Sequence, residues 1–481
     1  MAADTQDMGP GRRHRVIRSV LAAAVTAVLC AGYVVGDLFD TVPGPLTMKA
    51  IDAPAYERPR VSLASGRIVG NVARGVPIDA AAVRGLVDRF GATQGLGQDY
   101  SVAIVGDDGD EVAGHDETVS REPASTLKTL TALAAASKLD MGSTFPTRVY
   151  LNQATGQQPT LTLVGGGDML LGAGASDPAH VNGRAGLATL ADRAARGLRA
   201  RGITSIRLDY DDTLFGTVRS PASIARNNPG NLFFTPISSM AIDGGRQWRG
   251  PGPANPDVFE QYPELSAHTA ADVVAAFTSL LGQRGIDVRG GASAGTAPDG
   301  ISPLATVHSA TLGEVMSFML RHSDNTLAEE FGRLLAIHER RENTPTGAVS
   351  AVTATLRAMN VDLRGLTMAD CTGLSPGSQA TASVLARVQA HNLQVGPGTA
   401  AATGLSIPGE VGTAFDRLAD PSAAGLLRVK TGSLDSVTAM TGNVSRKRGG
   451  TLAFAVIVNN AQDLQSARDG IDEFVAALAG L

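Results

Sequence analysis

Residues 123–130 read PASTLKTL, which places Ser125 three positions before Lys128. On the first turn of a helix that spacing puts both side chains on one face, close enough to touch. A serine hydroxyl is a weak nucleophile until a base takes its proton. Lysine can act as that base when its amine is neutral, whereas a guanidinium does not give up its charge in proteins. The choice stands out here, because only five of 41 basic residues are lysine, at positions 49, 128, 138, 430 and 447. To work as a base, Lys128 must lose several units from a reference pKa of about 10.4, through burial or a second cation nearby.

Taken alone, S-x-x-K also describes an ordinary helix start with a solvated lysine. Two further strings accompany it. SDN occupies Ser323, Asp324 and Asn325 between two helical patterns, where it also reads as a helix cap. KTGS occupies Lys430, Thr431, Gly432 and Ser433 at the end of an apolar strand, where it also reads as a turn with a surface lysine. All three in this order, with two of the five lysines inside them, point to serine acyl-transfer chemistry. His322 beside Ser323 invites a Ser–His triad, but that needs a nucleophile elbow and none is read, so a packing or surface role is expected. GGGD at 165–168 lacks the G-K-[ST] of a phosphate loop and is expected to be a tight turn. The eight histidines form no H-E-x-x-H or Cys/His set, and no metal is expected.

These residues need elements to hold them. Leu127, Leu130, Leu133 and Leu139 keep a helical period after Ser125. YSVAIVGDDGDEVAGHDE, just upstream, reads as strand, Asp/Gly turn and strand, and a helix is expected over 78–90 before it. The tail carries three strand patterns, LLRVKTGS, SVTAMTGNV and GTLAFAVIVNN, and closes with a helix at 465–479. Strands at both ends of the chain predict one sheet built from its N- and C-terminal parts, with the middle inserted. In that middle, LTLVGGGDMLLG reads as a strand broken by a glycine turn. Helices at 185–200 and 270–283 run into short strands at RGITSIRLDYDD and RGIDVRGG, and a later one at 352–359 runs into MNVDLRGL in the same way.

A chain of 481 residues exceeds one ordinary core, so two or more domains or a large insertion are expected. Its 43 % hydrophobic content is enough for a packed globular body. A net charge of −5, with no basic patch beyond the N-terminus, gives no reason to expect nucleic acid as a partner. Cys30 lies in an apolar run, so a bridge to Cys371 is not expected, and so few thiols suit an extracytoplasmic protein. Arg12, Arg13, Arg15 and Arg18 precede an apolar run over 20–35, with Asp37 and Asp40 after it. This layout reads as a membrane anchor with its N-terminus inside, a cleaved signal being the rival; either way the bulk of the chain is exported.

The three motifs resemble those of the low-molecular-mass class C penicillin-binding proteins of the D-Ala-D-Ala carboxypeptidase type, peptidase family S13. The resemblance covers roughly 78–481 and extends to LVGGGDMLL at 163–171, HSDNTLAEEF at 322–331 and DCTGLS at 370–375. The family usually has DGSGLS at the last string, which leaves Cys371 without an account. The 198 positions between Ser125 and Ser323 fit a family that inserts extra domains there. The implied fold is α/β (α+β): a serine β-lactamase/DD-peptidase-like fold, an antiparallel sheet flanked by helices with an inserted α/β region. The expected organisation is an anchor or signal over 1–36, a proline-containing stalk over 37–77, a catalytic domain from 78–148 and 303–481, and an accessory region over 149–302.

The resemblance also implies roles. Ser125 attacks the carbonyl between two D-alanines of a peptidoglycan stem, with Lys128 as its base. Ser323 and Lys430 relay the proton to the leaving amine, and Asn325 binds the acyl side. Thr431, Gly432 and Ser433 of KTGS, with the Lys430 charge, hold the terminal carboxylate. The oxyanion hole is the backbone N–H of Ser125 and Ser433, about 3 kcal/mol per donor. β-Lactams would acylate the same serine; no cofactor is implied. Two alternatives stand beside this. A β-lactamase needs a glutamate-held water for deacylation, and no E-x-x-L-N follows SDN. A non-catalytic wall-binding protein of the same fold would have little reason to keep both motif lysines.

Overall fold

The computed structural model describes residues 10–46, 77–106, 109–153, 157–259, 261–297, 300–394, 396, 398–418 and 421–481. The chain divides into two units, Met1–Asn71 and Val72–Leu481. In the first, a helix spans Pro10–Leu38; its segment Arg18–Leu38 has a mean hydropathy of 2.0, and residues 18–35 of it are exposed. At 1.5 Å per residue its 21 residues reach about 31 Å, the thickness of a bilayer core. Most of the stretch expected as a stalk lies outside the described residues.

The second unit is organised around a five-stranded antiparallel sheet. Its strand order is Leu427–Leu434, Val437–Ser445, Thr451–Asn459, Tyr100–Gly106 and Glu111–His115. An N-terminal hairpin thus joins a C-terminal meander, as the strand patterns at the two chain ends predict. Alternation along each strand sorts side chains by size. Val102, Ile104, Phe454, Val456 and Val458 face one side, with the helices Ala80–Gly91 and Leu464–Leu478 packed on them through Val83, Phe90, Ile471 and Phe474. The opposite face carries Ala103, Val105, Ala439, Ala453, Ala455 and Ile457. Its small residues let the helix Ala382–Asn392 and the 3-10 turn Ala124–Leu127 come close to the sheet, and that closeness brings Ser125 under the lysine strand.

A second, mixed sheet has the strand order Ala305–Thr311, Thr144–Asn152, Thr160–Val164, Ser205–Asp211 and Asp287–Val288, with Ser293–Ala294 also pairing with Ser205–Asp211. The helix Leu187–Arg199 buries Leu187, Leu190, Ala194 and Leu198 against it and returns the chain to a parallel strand. The helix Thr269–Gln283 does the same before Asp287–Val288. The third expected helix–strand phrase is not formed. The helix Pro345–Ala358 ends near Asn360, which adopts φ 60°, and Val361 then buries itself in the alanine-rich core without joining a sheet. GGGD forms the turn between Thr160–Val164 and the strand Asp168–Leu171.

Candidate active site

The nucleophile segment is a 3-10 turn, Ala124–Leu127, continued by the helix Lys128–Lys138. Ala124 is held at φ 47°, a left-handed conformation that costs an alanine about 1–2 kcal/mol. Two motif glycines make room for this turn. A Cβ on Gly432 would lie 2.9 Å from Pro123 O, and one on Gly373 would lie 2.0 Å from Ala124 O. KTGS and DCTGLS therefore clamp the serine turn from two sides.

SDN joins two helices. Ser323, at φ 55°, ends the helix Leu312–His322, and Asp324 caps the helix Asn325–His338 by accepting from Leu327 N at 3.0 Å. The string is thus a helix cap, as its Asp predicts. Its Ser and Asn face the two lysines.

Lys128 Nζ lies 2.9 Å from Ser125 Oγ, 2.6 Å from Asn325 Oδ1 and 3.0 Å from Thr372 O. Asn325 donates through Nδ2 to Phe233 O at 2.8 Å, which sets its amide orientation so that Oδ1 faces the lysine. Burial pushes the Lys128 amine down to about 7, against the pull of Asp370 and Asp324. A neutral amine has two hydrogens and one lone pair. Two carbonyl oxygens, those of Asn325 and Thr372, take the hydrogens, and the lone pair is left for the hydroxyl of Ser125.

Lys430 Nζ lies 2.9 Å from Ser323 Oγ and 2.7 Å from Thr431 O. It is fully buried, and burial together with Lys128 holds it well below the ordinary lysine value. An incoming carboxylate supplies the counter-charge that would bring its proton back. Thr431, Ser433, Ser125, Ser323 and Asn325 line one cleft of about 830 Å3, together with Arg226, Phe233 and Tyr262. The structure thus brings together every residue that the three motifs nominate.

The lysine strand lies at the edge of its sheet. Val429 exchanges backbone hydrogen bonds with Ser406 at 2.9 Å, so its polar groups point away from the neighbouring strand. By alternation Thr431 and Ser433 point outward as well. The Ser433 N–H accordingly faces the cleft.

Several contributors lie outside the three motifs. Asp370 is fully buried and accepts from Thr372 N, Gly373 N, Thr372 Oγ1 and Ser375 N, which shapes the turn that offers Thr372 O to Lys128. DCTGLS was legible as a resemblance, but its part in fixing Lys128 was not. Cys371 is buried in the alanine-rich core with Sγ against Gly332, which accounts for it as packing. Arg246 donates to Asp324 Oδ2 at 2.8 Å and stacks over Phe259 at 4.3 Å. His322 stacks on Phe259 with ring centroids 4.3 Å apart, and burial drops its pKa to about 4. It packs, as expected. Two strings have the G-x-S-x-G spacing that a nucleophile elbow needs, at 291–295 and 373–377. Ser293 lies exposed on a two-residue edge strand and Ser375 in a buried turn, so neither sits on a strand-to-helix elbow.

The chain is similar to known proteins over most of its length. The chain is 33 % identical over 350 residues to a carboxypeptidase of Mycobacterium tuberculosis, covering 70 % of this chain and 71 % of that one. It is 32 % identical over 427 residues to the carboxypeptidase DacB of Mycolicibacterium smegmatis, covering 84 % and 86 %. Its fold matches that of penicillin binding protein 4 from Haemophilus influenzae with a TM-score of 0.66 at 20 % identity, covering 84 % of this chain and 98 % of that one. The D-Ala-D-Ala carboxypeptidase 3 (S13) family matches over residues 89–250 and 261–478, so with nearly all of its second unit this chain belongs to that family.

Proposed function

We propose that this serine D-Ala-D-Ala carboxypeptidase trims peptidoglycan stem peptides through an acyl-enzyme on Ser125. The observation that carries the reading is the Lys128 amine, whose two hydrogens are taken by carbonyls while its remaining valence meets Ser125 Oγ at 2.9 Å. Lys128 takes the hydroxyl proton as Oγ bonds to the penultimate D-alanine carbonyl carbon. The N–H groups of Ser125 and Ser433 stabilise the oxyanion, each by about 3 kcal/mol. As the C–N bond breaks, Ser323 and Lys430 relay the proton that Lys128 took to the leaving D-alanine amine. Asn325 holds the acyl side, and Thr431, Ser433 and a reprotonated Lys430 hold the carboxylate. Water then releases the acyl group by the same steps in reverse. The same chemistry serves a cross-link between D-alanine and the diamino acid of a second stem, an endopeptidase action.

We assign the catalytic body to 78–148 and 303–481 and the accessory region to 149–302, with the strands Thr144–Asn152 and Ala305–Thr311 at the two crossings belonging to the accessory sheet. The helix Pro10–Leu38 anchors the protein on the outer face of the cell membrane, its arginines inside; if it is cleaved as a signal, the protein is secreted instead.

Labelled penicillin tests the assignment. It should form a covalent adduct on Ser125, located by mass spectrometry and absent in Ser125→Ala. A folded protein that stays unlabelled sinks the proposal. Nitrocefin should give one burst without sustained turnover, whereas steady hydrolysis would make the protein a β-lactamase. Digestion of purified muropeptides then separates loss of one D-alanine from loss of a cross-link.

A further inference from the structure

We propose that Thr413 is a positioning residue that aims the Thr431 hydroxyl at the substrate's terminal carboxylate; this rests on the carboxylate reading of KTGS given above. Thr413 belongs to no motif. It lies on the loop that follows Ser406, which pairs with Val429 on the outer edge of the lysine strand. Its N–H donates to Arg321 O at 3.0 Å, which ties it to the helix that leads into SDN. Its Oγ1 lies 2.7 Å from Thr431 Oγ1, and both residues line the cleft. Among the described residues neither hydroxyl has another hydrogen-bond partner.

Each hydroxyl owns one hydrogen and two lone pairs. The pair uses one hydrogen internally and has one to offer the cleft. When Thr413 donates to Thr431, the Thr431 hydrogen is free to turn outward, beside Lys430 and Ser433, where the carboxylate is read. Donation into Thr431 also polarises its own O–H, so a chain of two hydroxyls grips an anion better than a lone one. With valine at 413 the shape stays and the donor is lost, so Thr431 is no longer held in the donating orientation.

The test uses the full-length protein with two acyl donors that share an acyl half. One ends in D-Ala-D-Ala and carries the carboxylate; the other ends in D-Ala-p-nitroanilide and lacks it. Thr413→Val should raise KM for the first by about tenfold, the weight of one hydrogen bond to a charged group, with kcat nearly unchanged. Turnover of the anilide should stay at the wild-type level, which also shows that the variant folds. Thr413→Ser should restore the wild-type KM. Wild-type behaviour of Thr413→Val on both donors, or equal losses on both, overturns the proposal. Thr431→Val separates the layers: if it alone raises KM for the carboxylate donor, the relay is wrong and the carboxylate reading stands. If Thr431→Val leaves KM unchanged as well, the carboxylate reading itself falls.

Discussion

At the scale of the residue, the chemistry depends on an amine kept neutral by its surroundings. Lys128 titrates near 7, so its base form grows as pH rises through neutrality, and the rate of Ser125 acylation should follow it. A plot of kcat/KM against pH should therefore climb with an apparent pKa near 7 and flatten by about one unit above it. Lys128→Arg keeps the charge and forfeits the lone pair, and penicillin acylation should fall by about 10²- to 10⁴-fold. Full activity in that variant would refute the neutral-amine account. Lys430 is depressed too, and the resemblance assigns it a charge. The substrate carboxylate supplies the counter-charge that restores the Lys430 proton, so substrate binding should take up a proton.

At the scale of the element, the site is a meeting of ends: a 3-10 turn, a helix–helix junction and an edge strand. The inserted region takes part directly, because Arg246 bridges Asp243 and Asp324 while lying over Phe259. Its side chain is only 7 % exposed and that of Asp324 11 %, so the pair is shielded from solvent and loss of one partner leaves the other charge poorly solvated. Arg246→Gln should loosen the SDN junction and cut penicillin acylation by about 10- to 100-fold, since a displacement on the order of 1 Å is that costly to catalysis. Thermal unfolding should show the fold retained with a lower midpoint. If acylation is untouched, the accessory region does not support SDN through this contact.

At the scale of the whole molecule, several acids are sealed inside. Burial raises Glu329 to about 8 and Asp168 to about 7, and lifts Glu330 well above its ordinary value. For Glu329 the folded state keeps its proton up to about 8, whereas the unfolded chain releases it near 4.5. Folding thus takes up a proton between those values, and stability falls as pH rises through the window, by up to about 1.4 kcal/mol per pH unit. Glu329→Gln removes the titration and keeps the volume. The midpoint of the variant should gain on the wild type steadily from pH 5 to pH 8, and a constant difference across that range would show that Glu329 is already ionised in the fold.

Local pattern made much of this protein readable in its sequence. Alternation and helical period announced the strands and helices, because burial of one face imposes periods of 2 and 3.6 whatever the partner. The motif lysines announced the chemistry, because a buried lysine can give up its charge and act as a base where the arginine this chain otherwise prefers cannot. Thr413, Arg246, Phe233 O and Thr372 O left no such mark. They act through a single hydroxyl, one ion pair and two backbone carbonyls, groups that every chain has in abundance and that gain meaning only from what lies within about 3 Å. Folding alone decides which of them stand there, since it draws the residues around 125, 325, 372 and 430 into one pocket across hundreds of positions.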